Sequence, residues 1–369
     1  MNTKLIILLL LISGLLTTSL PVNAHQLSDS YLRISAVDET STYTVRWHLG
    51  LKDLEMAVGL DNNYNGEITW GEVLNQEQVI KRYAQSALDI QQQQKTCPLE
   101  FAPIAMDRLN SGIFIALDVT VLCQSDTPLT VTYTPLFELD QSHRGIITYT
   151  DSAGEQISVV SPDNTTLLLN TQNNTALITF FQFIKQGVWH IWIGFDHILF
   201  LLALLLPSVL HRKNNTWQAH SNAKPVFSEV ISIVTTFTIA HSITLIAATL
   251  QWINLPTNLV EIIIALSVSI AGLHMLYPIG HQRRWLFAFI FGLIHGFGFA
   301  SVLNDLELPS QAFWSSIVGF NIGVEIGQLV IVSILLPIIY GLRNTNVYQK
   351  WLMPTSASLM IIIGTLWAV

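Results

Sequence analysis

The chain has 369 residues, 50% of them hydrophobic and only 11% charged, with a formal net charge of −8. This balance excludes a uniform soluble globule, in which about a quarter of residues carry charge. It also excludes a strongly basic nucleic-acid-binding surface, so no nucleic-acid partner is expected.

Residues 1–24, "MNTKLIILLLLISGLLTTSLPVNA", combine basic Lys4, an apolar core and the small-residue ending Val22-Asn23-Ala24. That pattern reads as a secretory signal peptide. Cleavage after Ala24 makes His25 the mature N-terminus. Its α-amine and imidazole then form a possible outer metal site, of a geometry that suits Cu(II) or Ni(II).

Residues 25–169 are expected to form a β-rich exported domain. "SYLRISAV", "YTVRWHL", "GIFIALDVTVL", "PLTVTYT" and "EQISVVS" alternate or are β-branched and are separated by polar turns, as in an antiparallel sheet or sandwich. Between residues 25 and 183 there are 19 acidic and 8 basic side chains, a balance of −11. The two cysteines, Cys97 and Cys123, both fall in this exported part, where a disulfide between them is expected.

An EF-hand-like helix-loop-helix interrupts the strands. In loop 61–72, Asp61, Asn63, Asn65, Glu67, Thr69 and Glu72 occupy positions 1, 3, 5, 7, 9 and 12 of a calcium loop. Gly66 holds position 6, where the chain turns sharply, and Ile68 the apolar position 8. With asparagine at positions 3 and 5 few ligands are negative, so weak calcium binding with a structural role is expected.

Residues 170–186 read as a linker and interfacial segment, and residues 187–369 as a six-span transmembrane domain. Apolar runs at 187–210, 226–250, 259–277, 285–303, 314–341 and 351–368 are each long enough to cross a bilayer. Alternate connections carry Arg212, Lys213, Lys224, Arg283, Arg284, Arg343 and Lys350, whereas 251–258 and 304–313 contain no Lys or Arg. The positive-inside rule then places the acidic domain outside the bacterial inner membrane, in agreement with the signal peptide. The fold class is thus a signal peptide, a β-rich domain and a six-helix α-helical bundle in contact with membrane lipid.

Ionisable residues inside such spans are expensive and mark function. His197 and His295 each lie about ten residues into their runs and Glu325 about eleven, and a helix rises about 1.5 Å per residue. With alternating entry sides, these residues, Asp196 and His241 fall in one slab. His190 and His197 are seven apart and share a helix side. Asn321, Glu325 and Gln328 form a polar stripe, and Gly292, Gly296 and Gly298 let another backbone approach His295. His190, Asp196, His197, His241, His295, Asn321 and Glu325 make a candidate ligand set for a divalent first-row metal. Two ionised carboxylates balance a 2+ ion.

In "HIWIGFDH", His190, Asp196 and His197 form a His-x5-Asp-His pattern that resembles the signature of the HupE/UreJ family of bacterial membrane proteins. "AHSITL", "FGLIHGFGFA" and "FNIGVEIGQ" resemble its later-helix motifs and point to His241, His295, Asn321 and Glu325. The chain looks like a long branch with an exported N-terminal domain. Beyond His295 it has Phe297 and Gly298, where shorter members carry a second histidine. The resemblance implies uptake of nickel or a related metal for hydrogenase or urease maturation, and so implies metalloenzyme maturation proteins as partners.

The expectation is a permease for a divalent transition metal: nickel first, with zinc, cobalt or copper as alternatives. An intramembrane zinc-dependent hydrolase is the main competing class. A haem protein and a non-transporting metal-binding protein remain as further classes.

Overall fold

The computed structural model describes residues 28–37, 41–123, 128–170, 176–213, 216–253, 255–277, 284–305 and 310–368. The signal-peptide segment 1–24 and His25 lie outside the described residues.

Two sheets build the N-terminal region. Strand β1 (Asp29–Ala36) sits at the centre of the larger one, antiparallel to β2 (Thr42–Gly50). Helices α1 (Leu51–Val58), α2 (Trp70–Asn75) and α3 (Glu77–Ala87) follow β2. The smaller sheet begins with β3 (Leu88–Gln92) and β4 (Lys95–Thr96). Strands β5 (Leu99–Phe101), β6 (Ala105–Leu109) and β7 (Gly112–Leu122) return to the larger sheet, where β7 pairs with β2. Strand β8 (Leu129–Tyr133) joins the smaller sheet, and β9 (Arg144–Asp151) and β10 (Gly154–Val160) complete the larger. Strand β11 (Thr166–Leu169) closes the smaller sheet against β8.

The strict alternation of β2 puts Tyr43, Val45, Trp47 and Leu49 on its buried face. They share one core with Leu88, Ile90, Val131 and Tyr133 of the smaller sheet and with Ile80 and Ala84 of α3. The expected antiparallel pattern has one exception: β1 and β9 run parallel. Such a pairing needs a long crossover, and the chain between them supplies one.

Two cysteines join this region covalently. Cys97 and Cys123 form a disulfide with a Cα–Cα distance of 4.9 Å.

The C-terminal part is helical. Helices α4 (Ala176–Ile193) and α5 (Phe195–Ser208) meet at an angle of 72°. A short hairpin follows, β12 (Leu210–Lys213) with β13 (Thr216–Ala219), which the apolar pattern did not announce. Then come α6 (Ala223–Thr249), α7 (Thr257–Leu276), α8 (Arg284–His295), α9 (Ala300–Asp305) and α10 (Ser310–Leu342). A π-helical turn, Tyr348–Leu352, leads into α11 (Met353–Trp367).

Among the described residues, four stretches are long and apolar enough to cross a membrane, and the bent pair α4–α5 makes up to five. α11 has 15 residues, about 22 Å of α-helix at 1.5 Å per residue. Helix α4 begins at Ala176, within the stretch 170–186 expected as a linker and interfacial segment. "ALITFFQFIKQ" is apolar enough to continue the helix backwards from His190.

Arg284 shows how a charge at a helix end becomes structural. It is 4% exposed, donates to the Pro207 carbonyl at 2.9 Å and pairs with Glu229 at 3.0 Å. Tyr348 donates to the Leu206 carbonyl at 2.6 Å. The last carbonyls of α5 lack intrahelical partners, and these two side chains supply them.

The β-rich domain is seated on the helices. Asp305, at the end of α9, accepts from the Asn110 backbone (2.9 Å), the Asn110 amide (2.8 Å), the Ser111 backbone (2.8 Å) and the Ser111 hydroxyl. Thr257 donates to the Asn110 carbonyl at 2.9 Å. Tyr31, Phe114, Ile146 and Ile157 share an apolar cluster with Phe183, Ile191, Leu245 and Phe299. A carboxylate accepting four donors at a tight turn, over an apolar contact, fixes the domain's register on the helix ends.

Candidate metal centre

The chain turns at Gly194. Its backbone donates to the His190 carbonyl at 3.0 Å, and Ile198 donates to the Gly194 carbonyl at 3.1 Å, so one helix ends and the next begins across this residue. A Cβ added at Gly194 would lie 2.7 Å from His197 Nδ1, 2.9 Å from the His190 carbonyl and 3.0 Å from Asp196 Oδ1. Only glycine fits there.

The break corrects the expectation of one straight span over 187–210. His190 closes α4, Asp196 and His197 open α5, and the two imidazole centroids stand 4.7 Å apart. A second break lies at the end of α8, where His295 is the last helical residue before a turn through Gly296. The close approach expected around His295 is present: Cβ atoms at Gly292 and Gly296 would fall 2.5 Å from the Phe237 carbonyl and 2.4 Å from the His241 carbonyl of α6.

His190, Asp196, His197, His241 and His295 are thereby brought together. They form two overlapping groups, His190–His197–His241 and Asp196–His197–His295, in each of which one ligand atom per residue lies within 4.8 Å of the others. Nitrogens that surround one first-row ion at about 2.1 Å stand roughly 3.4 Å apart, so the side chains need to draw in by a fraction of an ångström each.

Each of three rings has one nitrogen committed. His197 Nδ1 is 3.0 Å from Asp196 Oδ1, His241 Nδ1 is 3.1 Å from Asn321 Oδ1, and His295 Nδ1 is 2.8 Å from the Phe291 carbonyl. An oxygen acceptor at Nδ1 holds the proton there and leaves the Nε2 lone pair free. The Nε2 atoms of His197, His241 and His295 are buried without a hydrogen-bond partner, as are both nitrogens of His190. Asp196 Oδ2 stands 3.9 Å from His295 Nε2.

The surroundings favour a cation. The C-terminal ends of α4 and α8 both finish at the site, where a helix dipole presents its negative end. The opposing positive end, the start of α5, carries Asp196 in its first turn. Phe299 and Phe320 stack on each other at 4.0 Å with centroids 5.2 and 5.3 Å from His190, and Phe237 lies 5.5 Å from His295, keeping the walls apolar.

Asn321 and Glu325, expected among the ligands, both meet partners on α6. Asn321 serves as the partner of His241 Nδ1. Glu325 Oε1 accepts from Thr235 at 3.0 Å and stands outside both groups. Gln328 Oε1 accepts from Thr238 at 3.3 Å. The polar stripe on α10 therefore faces a matching stripe on α6, Thr235, Thr238 and His241. The spacing in "TTFTIAH" could have disclosed it.

In loop 61–72, Asp61 Oδ2 accepts from the Gly66 backbone at 2.8 Å and Asn65 Oδ1 from the Glu67 backbone at 2.8 Å. Gly66 has φ +82°. Glu72 accepts from Asn63 Nδ2 at 2.6 Å and caps Thr69 through its backbone and hydroxyl.

A β-rich domain docked on apolar helices, two of them broken beside a buried imidazole–carboxylate centre, is the build of a polytopic membrane protein with a polar site at its heart. The particular family is shown by comparison: the HupE / UreJ protein family model matches residues 166–369, more than half of the chain, and the chain belongs to that family. A comparison with curated proteins finds no match. The family match begins in β11, so the β-rich domain lies almost wholly before it.

Proposed function

We propose that the protein is a permease for a divalent transition metal, with nickel the first candidate and cobalt, zinc and copper the alternatives. One observation carries this reading: three Nε2 atoms without a hydrogen-bond partner, each set by an oxygen at Nδ1, converge beside Asp196 where two helices break. Discontinuous helices whose ends face a central site are a device of secondary transporters. The two broken helices together with four others make six spans, with the acidic domain on the periplasmic side of the bacterial inner membrane and residues 1–24 as the exported leader.

Asp196 supplies charge to the bound ion. Glu325, about one helical turn beyond Asn321 on α10, would carry a proton in exchange. Metalloenzyme maturation proteins on the cytoplasmic side are the expected recipients. The deciding experiment is uptake into proteoliposomes, with nickel, cobalt, zinc and copper offered separately. Metal-specific accumulation lost in a His197→Ala, Asp196→Asn double variant supports the permease. Absence of uptake for all four metals in the wild-type protein overturns it.

The second reading, an intramembrane zinc-dependent hydrolase, draws on the same three Nε2 atoms with a carboxylate beside them, the donor set of a catalytic zinc site. A stoichiometric zinc that survives purification, without uptake, is the result that favours it.

Loop 61–72 is read as a weak, structural calcium site. Asp61, Asn63, Asn65 and Glu72 offer side-chain oxygens and Glu67 its carbonyl around a glycine turn. Calorimetric titration of the exported protein with calcium, against an Asp61→Ala variant, tests it. Equal heats in the two proteins refute it.

A further inference from the structure

A narrow crevice of about 30 Å³ lies where the β-rich domain meets the first broken helix. Asp29, Ser142 and Arg144 line it from the domain, and Gln186, Trp189 and His190 from α4. That volume holds one or two water-sized groups. Asp29 is only 8% exposed and its Oδ2 has no hydrogen-bond partner.

Arg144 stands opposite Asp29 in the β1–β9 register and its charge acts on the carboxyl, yet its guanidinium makes its hydrogen bonds elsewhere. Nη1 donates to the carbonyls of Gln141 (3.1 Å), Ser142 (3.1 Å) and His143 (2.7 Å), and Cζ lies 4.6 Å over the Trp189 ring. At the helical wall of the same crevice, both nitrogens of His190 are also without partners. An unpaired buried carboxyl oxygen and an unpaired imidazole are each costly. A cation passing between them would supply the missing bonds to both.

We propose that this crevice is the portal through which a divalent cation reaches the buried centre from the exported side, with Asp29 its outer ligand and His190 its inner one. The proposal rests on the reading of that centre as a divalent-cation site. Trp189, clamped by Arg144, forms the wall that keeps the passage one ion wide.

A portal residue lowers the barrier without deepening the well. It therefore changes association and dissociation together and leaves the equilibrium constant alone. The test is stopped-flow mixing of Co²⁺ with the purified full-length protein, read by the visible absorption of the ion, followed by chelator-driven release.

Asp29→Asn is expected to slow both rates by about tenfold, equivalent to about 1.4 kcal/mol of barrier, with Kd held within about twofold. Asp29→Glu is expected to retain both rates. Gln186→Phe, which narrows the crevice from the helix side, is expected to show the same paired slowing and carries the test if Asp29→Asn fails to fold. Unchanged rates in Asp29→Asn, while His197→Ala abolishes binding, overturn the portal and leave the centre standing. A weakened Kd at an unchanged association rate makes Asp29 a resident ligand and also overturns it. No Co²⁺ binding by the wild-type protein overturns the centre and the portal together.

Discussion

His190 and His197 stand seven residues apart in the chain, yet their ring centroids lie 4.7 Å apart because the helix axis turns by 72° between them. On a straight helix the same residues would be separated by about 10.5 Å of rise. The turn depends on Gly194, where a side chain would collide with His197 Nδ1 and the His190 carbonyl. Gly194→Ala keeps every ligand but is expected to weaken metal binding by about 10–100-fold, the usual effect of disturbing what orients a ligand. Titration with Co²⁺ reads this directly, and an unchanged affinity would show that the turn does not set the site.

Asn321 orients His241 and is itself oriented, since its Nδ2 donates to the Ile317 carbonyl at 2.9 Å and presents Oδ1 to the ring. Asn321→Leu preserves volume and removes the acceptor. The expected outcome is a loss of about 10–100-fold in metal affinity at unchanged stoichiometry. Loss of one bound ion per chain would instead assign Asn321 to the ligands.

The disulfide closes a loop of sequence separation 26. Such a loop stabilises by roughly 3–4 kcal/mol through the unfolded chain. A Cys97→Ser, Cys123→Ser double variant is expected to lower the unfolding temperature of the β-rich domain by several degrees, measured by calorimetry on the full chain, and to leave metal binding to the helices unaltered.

His143 is fully buried, with Ser28 Oγ at 2.6 Å from Nδ1 and Tyr133 Oη at 2.9 Å from Nε2. Burial pushes its pKa down from 6.5 to about 4. Between those values the unfolded chain binds a proton that the folded one refuses, so stability falls as the pH drops from about 6.5 to about 4 and levels off below. His143→Gln should remove that part of the acid destabilisation. A denaturant series at pH 4, 5, 6 and 7 on both proteins checks it, and parallel pH profiles would count against the assignment.

Much of this was legible in the residues alone. Alternation in "YTVRWHL" placed Val45, Trp47 and Leu49 inward, because a strand has period two and one of its faces must be buried. The apolar runs marked the long helices, since a bilayer imposes a minimum length. Ionisable groups at matched depth in separate runs pointed to Asp196, His197, His241, His295 and Glu325, and the seven-residue spacing on one helix side added His190.

What the residues could not disclose was decided by contacts between distant parts. "HIWIGFDHILF" reads as continuous helix because local propensity does not register what packs against Gly194. Glu325 shared the depth of the histidines but turned towards Thr235, since depth specifies a rise along an axis and not a rotation about it. The partners that leave each Nε2 free range from the adjacent residue, Asp196 beside His197, to Asn321 on another helix from His241, and Asp29 and His190, which line one crevice, lie more than a hundred residues apart. Such pairings follow from three-dimensional packing, which a one-dimensional pattern of hydrophobicity does not encode.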